Sequence, residues 1–161
     1  MPVIRVQMAD FNIADEIALM RNNPSIGAIA SFIGLVRDIN DGLGVKTLTL
    51  EHYPAMTEKA VAAIVAEAEA RWRIIHCTVI HRVGELKPCD QVVLVIVASA
   101  QRADAFEACQ FIMDYLKTRA PFWKKERTPQ GERWVEARES DDVASLRWRV
   151  ETANLSGDRI D

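Results

Sequence analysis

The chain has 161 residues, of which 49% are hydrophobic and 27% are charged, and its formal net charge is −3. These values predict one globular domain with a sizeable core, which we expect at residues 1–150, ahead of a polar tail at residues 151–161. The acidic balance argues against a general nucleic-acid binder, which usually carries excess basic charge. No apolar run is long enough to span a membrane and no apolar core marks a signal peptide, so we expect a cytoplasmic protein.

The three cysteines lack the CxxC spacing of many metal and redox sites. An odd number of cysteines without a secretion signal predicts reduced thiols. Cys77 and Cys109 lie among apolar residues and are expected in the core, whereas Cys89, in a turn, is expected to be exposed. Nothing near any of them marks an activated thiol.

The first part of the chain predicts a strand, a helix and a second strand. Val3–Gln7 is the first candidate strand, and Asn12 is placed to cap a helix that ends near Arg21. Gly27–Val36 is a mostly apolar strand, which we expect to be covered on both faces. Arg37 follows at the start of a polar loop, a common place for ligand contacts, although a solvated loop arginine is the simpler interpretation.

The sequence of the middle of the chain predicts three more strands and one helix before a long final helix. Lys46–His52 alternates like a strand, and Pro54 opens a helix that runs to about Trp72. Ile75–Val83 is a further strand, and the turn GELKPCD separates it from Gln91–Ala98, which reads as a central buried strand. The final helix is expected from about Ala103 to Ala120.

Pro121 ends this helix because it lacks a backbone N–H and disfavours helical geometry in the residue before it. A hairpin follows, with strands Phe122–Arg127 and Glu132–Ala137 joined by a type I turn in TPQG. Ser140–Val150 predicts a short helix. This order of strands and helices is typical of α+β or α/β sandwich architecture.

Basic and aromatic side chains are concentrated around Pro121. The basic ones are Lys117, Arg119, Lys124 and Lys125, and the aromatic ones are Tyr115, Phe122 and Trp123. On a chain with a net charge of −3, such a surface predicts an anionic ligand. The structural alternatives are lysines that oppose a helix dipole and basic residues that protect an edge strand.

The rest of the sequence narrows the chemistry. The histidines His52, His76 and His81 lack metal-ligand spacing, and no phosphate-binding glycine loop or nucleophile elbow is present. Arg37 and Arg102 can clamp a phosphate, the latter beside a helix N-terminus that adds positive charge. Clustered lysines lower one another's pKa and can then act as acids, bases or nucleophiles. We therefore expect a small anionic substrate handled by lysine, with no cofactor and no metal.

Four stretches closely resemble one family, the large catalytic subunit of molybdopterin synthase. They are TLTLEHYPAMTEKA (Thr47–Ala60), VIHRVGELKPCD (Val79–Asp90), AFEACQFIMDYLKTRAPFWKKE (Ala105–Glu126) and GERWVEARESD (Gly131–Asp141). The resemblance extends from about Gly27 to about Trp148. It implies an α+β fold of the α/β hammerhead type with an additional antiparallel β-hairpin subdomain.

The resemblance also implies partners and a reaction. The chain is expected to form a homodimer in which each copy binds a small ubiquitin-like subunit, which gives a heterotetramer. The small subunit's C-terminal Gly-Gly thiocarboxylate is expected to enter a pocket and donate sulfur to cyclic pyranopterin monophosphate, also called precursor Z. Repeated transfer would make the chain a sulfurtransferase that forms the molybdopterin dithiolene in molybdenum cofactor biosynthesis.

Matched by position, Lys117 and Lys124 are implied to be catalytic, and Arg37 and Arg102 to bind substrate. The full set of implied substrate-binding positions is Leu35, Val36, Arg37, Gln101, Arg102, Lys117, Lys124, Lys125 and Glu126. Gln101 stands where close relatives often carry histidine, and glutamine can hydrogen-bond but cannot shuttle a proton. Leu35 stands where some relatives carry lysine.

Two alternative functions stay open at this point. One is a non-catalytic homologue of the same fold that binds the small subunit, which Gln101 favours and the intact lysines and arginines disfavour. The other is an α+β protein that binds a nucleotide or RNA through Trp123 and the basic cluster. The acidic net charge and the lack of a basic stripe argue against this second alternative.

Overall fold

The structure, a computed structural model, describes residues 2–40, 43–135 and 143–148. The strands are β1 Val3–Gln7, β2 Ala28–Leu35, β3 Ile39–Asn40, β4 Leu43–Gly44, β5 Thr47–His52, β6 His76–Arg82, β7 Gly84–Leu86, β8 Gln91–Ser99, β9 Phe122–Thr128 and β10 Gly131–Val135. The helices are α1 Ile13–Ala18, α2 Met56–Arg71 and α3 Arg102–Thr118, and residues 143–148 are also helical. No helix in these ranges is long and apolar enough to cross a membrane.

The first sheet has the strand order β1-β6-β8-β2 and contains the main core. β1 runs parallel to β6, whereas β8 is antiparallel to both of its neighbours. The odd-numbered residues of β8 from Val93 to Val97 pack with α2 and α3, and the even-numbered residues from Leu94 to Ala98 pack with the α1 region. β8 is therefore buried on both faces, as its continuous apolar sequence predicts.

β2 lies at the open edge of this sheet, and here the prediction of a strand covered on both faces is wrong. Only Ala30 is fully buried among its residues, while Phe32 is 42% and Leu35 is 55% exposed. Apolar content alone cannot tell a strand covered by its own chain from a strand that another molecule covers. The exposed apolar side chains on this edge matter for the proposal below.

The second sheet has the strand order β10-β9-β5-β7 and is antiparallel throughout. The predicted hairpin forms its β9 and β10 strands, which confirms the α+β class with an added antiparallel hairpin. The prediction that Gly84 and the residues after it form only a turn is wrong, because Gly84–Leu86 pairs with Leu48–Leu50 of β5. Such a short strand has too little alternation to be visible in the sequence.

The ends of two helices can be compared with the sequence predictions. The Asn12 side chain accepts a hydrogen bond from Asp15 N at 3.2 Å, as predicted, but α1 ends at Ala18 rather than near Arg21. α3 ends just before Pro121, also as predicted, and the N–H of Arg119 donates to the carbonyl of Tyr115 at 2.8 Å.

Some predictions reach outside the described residues. These are the end of the hairpin at Ala137, both ends of the helix predicted at Ser140–Val150, and the polar tail at residues 151–161.

Candidate active site

The two lysines on either side of Pro121 both lie near enough to one buried histidine for their charges to act on it. Lys117 lies in the last turn of α3, and Lys124 lies on β9. The pKa of His81, on β6, falls to about 4, mainly because the ring is buried and further because the positive charges of Lys124 and Lys117 lie near it. Two cations from separate elements therefore act on the same buried ring, and their catalytic role stays a prediction.

The contacts of His81 define its protonation state. Its ring stacks on Phe122 with the ring centres 3.8 Å apart and the planes 18° from parallel. Its Nδ1 lies 2.9 Å from the carbonyl oxygen of Arg82. A carbonyl oxygen only accepts hydrogen bonds, so Nδ1 carries the proton and Nε2 is the bare nitrogen of a neutral ring. The ring of His81 is therefore an uncharged neighbour of the two lysines.

A second histidine and a carboxylate lie on the same side of the site. His52 ends β5, directly opposite Phe122 in the strand register, and its Nε2 is 4.0 Å from Oε1 of Glu58. The other carboxylate oxygen of Glu58 is buried and has no hydrogen-bond partner in the described part of the chain. The sequence analysis missed both histidines as site residues, because nothing in their spacing shows that separate strands bring them to the lysines.

Two of the four basic residues around Pro121, Arg119 and Lys125, form ion pairs within the chain. Arg119 points to α2, where its Nη1 lies 2.9 Å from Oε2 of Glu67. Lys125 points to β10, where its Nζ lies 2.9 Å from Oε2 of Glu132 and its hydrogen bond lowers the pKa of that carboxyl. Lys117, in contrast, makes no ion pair with any residue in the described ranges. Lys117 is therefore the basic side chain best placed to meet an incoming anion.

The remaining positions near the lysines differ in their exposure. Glu126 is only 4% exposed, and its Oε2 lies 3.0 Å from Nη2 of Arg133. Val36 is buried in the small core between the sheets, together with Leu50, whereas Leu35 is exposed. Of these predicted substrate-binding positions, Leu35 has the side chain most open to a ligand.

The two arginines predicted to bind substrate lie at opposite ends of the first sheet. Arg37 follows the end of β2 that pairs with Gln91, and Arg102 follows the end of β8 that pairs with Ala28. At about 3.3 Å per residue, the length of β2 separates these ends by roughly 23 Å. Within one chain, a single phosphate cannot contact both arginines.

The lysines share the end of the sheet that carries Arg37. His81 pairs with Val93 of β8, and Val93 pairs with Gly34 of β2, three residues before Arg37. Gln101 caps the other end, at the start of α3 with Arg102, and both side chains are exposed. The predicted site residues thus form two groups in each chain.

No group of three or more His, Cys, Asp or Glu side chains in the described ranges is placed to hold a metal ion. Burial raises the pKa of Cys77 to about 12 and that of Cys109 to about 11, so both thiols stay protonated in the core. Cys89 is the exposed thiol, as predicted.

An α+β scaffold that holds two lysines beside a neutral histidine is an arrangement suited to an enzyme with an anionic substrate. Residues 6–119 match the MoaE protein family, and the chain belongs to it. The molybdopterin synthase catalytic subunit of Ralstonia nicotianae is 62% identical over 157 residues, which cover 97% of this chain and 89% of that protein.

Solved structures agree with this assignment. The molybdopterin biosynthesis MoaE protein from Burkholderia ambifaria is 54% identical, with a TM-score of 0.79 over 92% of this chain and 98% of that one. A chain in the complex of subunits 1 and 2 of molybdopterin-converting factor from Helicobacter pylori shares the fold at 17% identity, with a TM-score of 0.68 over 84% of this chain and 91% of that one. The family, the α+β fold and the class of enzyme predicted from the sequence are confirmed.

Proposed function

We propose that this chain transfers sulfur from the thiocarboxylate of a small ubiquitin-like subunit to precursor Z, and so forms the molybdopterin dithiolene. The observation that carries the proposal is that the charges of Lys117 and Lys124 both act on the buried ring of His81, in a chain whose relatives are named molybdopterin synthase catalytic subunits. In each transfer, sulfur forms a bond to a carbon of the pterin substrate while a carbon–oxygen bond at that carbon breaks, and the oxygen leaves as water or stays on the phosphate. The bond between sulfur and the acyl carbon then breaks. Water supplies the oxygen that converts the acyl group to a carboxylate.

In this proposal Lys117 is the principal catalytic residue and Lys124 its close partner. A lysine without an ion pair can hold the thiocarboxylate or phosphate as a cation, and can transfer a proton or attack the acyl carbon once it is deprotonated. Two ammonium groups beside each other repel, so an anionic ligand between them is favoured. Because the ring of His81 is neutral, it adds no charge to the repulsion between the lysines or to their attraction for an anion.

We further propose that the substrate site is completed by a second copy of the chain. β2 has an open edge with exposed Phe32 and Leu35, which a second β2 can cover by pairing around a two-fold axis. Antiparallel pairing would place the Arg102 end of one copy beside the Arg37 end of the other. In such a homodimer, Gln101 and Arg102 of one copy lie beside Lys117 and Lys124 of the other. Each substrate site then needs both copies, because Arg37 and Arg102 of one chain are too far apart to share a phosphate.

The small subunit is proposed to bind so that its C-terminal Gly-Gly tail reaches Lys117. Support comes from the solved two-subunit complex of molybdopterin-converting factor, whose chain has the same fold. A narrow tail without side chains suits a site beside Lys117, at the end of α3, and Lys124, on β9. With a homodimer at the centre, one small subunit on each copy gives the predicted heterotetramer.

The test is formation of the dithiolene product from precursor Z and thiocarboxylated small subunit, with wild type, Lys117→Ala and Lys117→Arg compared. Both variants should lose about 10²- to 10⁴-fold in rate, because arginine keeps the charge but cannot deprotonate. Partner binding and the unfolding midpoint should stay unchanged. A near-normal rate for Lys117→Arg would limit lysine to an electrostatic role, and a wild-type protein that binds the partner without product would establish the non-catalytic alternative.

The composite site has its own test, because Arg37→Ala and Arg102→Ala each damage a different end of the chain. Homodimers of either variant should lose substrate binding, whereas a mixture of the two variants should regain part of the activity, since a mixed dimer keeps one intact site. No recovery on mixing, with mixed dimers present, would contradict the two-fold arrangement.

A further inference from the structure

A buried threonine hydroxyl forms a hydrogen bond to the backbone of Pro121, which lies between the two lysines in the sequence. Thr57, in the first turn of α2, is fully buried, and its Oγ1 donates to the carbonyl oxygen of Pro121 at 3.1 Å. The same Oγ1 accepts a hydrogen bond from the backbone N–H of Tyr53 at 3.0 Å. One hydroxyl therefore joins the connection between β5 and α2 to the connection between α3 and β9.

The position of this hydroxyl matters because of what lies on either side of Pro121. Lys117 precedes the proline by four residues and Lys124 follows it by three. The N–H of Phe122 donates to the carbonyl of Ala120 at 2.9 Å, so the chain turns tightly at the proline. The direction in which the chain leaves α3 and enters β9 depends on this turn, and with it the separation of the two ammonium groups.

The elements on either side of Pro121 are held by contacts of their own. β9 is held to β5 by strand pairing from Phe122 onward, and α3 is held to the first sheet by its apolar face. The carbonyl of Pro121 lies between these two units, and the contact from Thr57 is the side-chain hydrogen bond that the structure gives it in the described ranges. Loss of the hydroxyl would remove the side-chain partner of the Pro121 carbonyl and of the Tyr53 N–H, both of which form part-buried hydrogen bonds.

We propose that Thr57 is a positioning residue, which sets the separation of Lys117 and Lys124 by holding the carbonyl of Pro121. The inference rests on the proposed function of the two lysines. The hydroxyl of Thr57 bonds the backbone of Tyr53 and Pro121, so it acts on the lysines through the turn that connects them. Its role is therefore one of geometry, which predicts a loss in turnover rather than in partner binding.

The experiment compares Thr57→Val, Thr57→Ala and Thr57→Ser in the assembled complex with thiocarboxylated small subunit and precursor Z. Valine keeps the shape of threonine without the hydroxyl, and serine keeps the hydroxyl without the methyl group. We expect kcat to fall about tenfold or more in the valine and alanine variants, with KM and partner binding within about twofold, and to recover in the serine variant. The pH at half-maximal turnover should also shift in the valine variant, because the repulsion between two ammonium groups depends on their separation.

Thr78→Val is the matched control, since Thr78 is equally buried but lies on β6, where its hydroxyl lies 3.2 Å from Nε2 of His76. It should lose stability like Thr57→Val but keep its kcat and its pH profile. A folded Thr57→Val or Thr57→Ala with normal kcat overturns the inference, and so does a serine variant that loses as much turnover as the valine variant.

Lys117→Ala, assayed beside them, separates the two proposals. Loss of turnover in Lys117→Ala together with normal turnover in Thr57→Val overturns the role of Thr57 and leaves the proposed function standing. Normal turnover in Lys117→Ala overturns both.

Discussion

The inner strands of the two sheets differ in the side chains that they bury. β8 of the first sheet, QVVLVIVAS, has no charged residue and is buried from Val92 to Ser99. β9 of the second sheet, FWKKERT, has four consecutive charged residues, and one of these, Glu126, is buried in an ion pair with Arg133. Apolar burial holds the first sheet together, whereas directed polar contacts hold much of the second.

The backbone follows the same division. Among the described residues, the two non-glycine residues with positive φ are Ala55 at 69° and Cys89 at 76°, and each follows a strand of the second sheet. Unfavourable backbone geometry of this kind tends to accumulate near functional sites. The comparison suggests that the first sheet supplies most of the stability, while the second sheet contributes Lys124 and His52 to a site that also takes His81 from the first sheet.

The largest expected effect tests whether the two faces of β9 differ in function. Lys124 and Lys125 are adjacent, so their side chains point to opposite faces of the sheet, and Lys125 is paired with Glu132. Lys124→Ala should lower the rate of dithiolene formation about 10³-fold, equivalent to about 4 kcal/mol of barrier. Lys125→Ala should lower it only a few-fold, and equal losses would show that the orientation of the strand does not select the catalytic lysine.

The next effect concerns stability and belongs to the first sheet. Leu94 is completely buried in the centre of β8, so Leu94→Ala should lower the free energy of unfolding by about 3 kcal/mol through lost burial and a residual cavity. Urea denaturation measures the change. Leu19→Ala is the control, because Leu19 is 77% exposed and its loss should cost less than about 0.5 kcal/mol. A small effect at Leu94 would contradict the idea that the first sheet carries the stability.

The same contrast explains how far the sequence could predict the molecule. The continuous apolar run of β8 and the break at Pro121 are local signals, and both predictions are confirmed. The open edge of β2 was missed because an apolar strand looks the same whether its own chain or another molecule covers it. The meeting of His52 and His81 with the lysines depends on strand register over long sequence separations, which no local pattern encodes.

A smaller effect should appear in the pH dependence of stability. His81 has a folded-state pKa of about 4, lowered chiefly by burial, whereas an unfolded histidine titrates near 6.5. Between these values the unfolded chain binds more protons than the folded chain, so the free energy of unfolding falls as the pH falls from about 6.5 toward about 4.

His81→Gln removes this titration while keeping a polar side chain. Between pH 7 and pH 5, the variant should lose about 2 kcal/mol less stability than the wild type, as measured by urea denaturation at each pH. His76→Gln is the control on the same strand, where burial also lowers the pKa but the ring is only half-buried, so its effect should be smaller. Parallel pH profiles for wild type and His81→Gln would mean that the ring is not held neutral by the fold.

The smallest effect tests whether strain is concentrated where the second sheet meets α2. Ala55 precedes α2 with φ 69° and ψ −42°, a conformation in which its Cβ is crowded and in which glycine is not. Ala55→Gly should therefore raise the free energy of unfolding by up to about 1 kcal/mol, the relief of strain exceeding the extra entropy of glycine in the unfolded chain. Ala63→Gly, at an exposed position within α2, should lower it by about 1 kcal/mol, because there glycine only weakens the helix. If Ala55→Gly raises the free energy of unfolding and Ala63→Gly lowers it, the strain lies at the junction between β5 and α2, which leads to Thr57. If both substitutions lower the free energy of unfolding, the junction is relaxed.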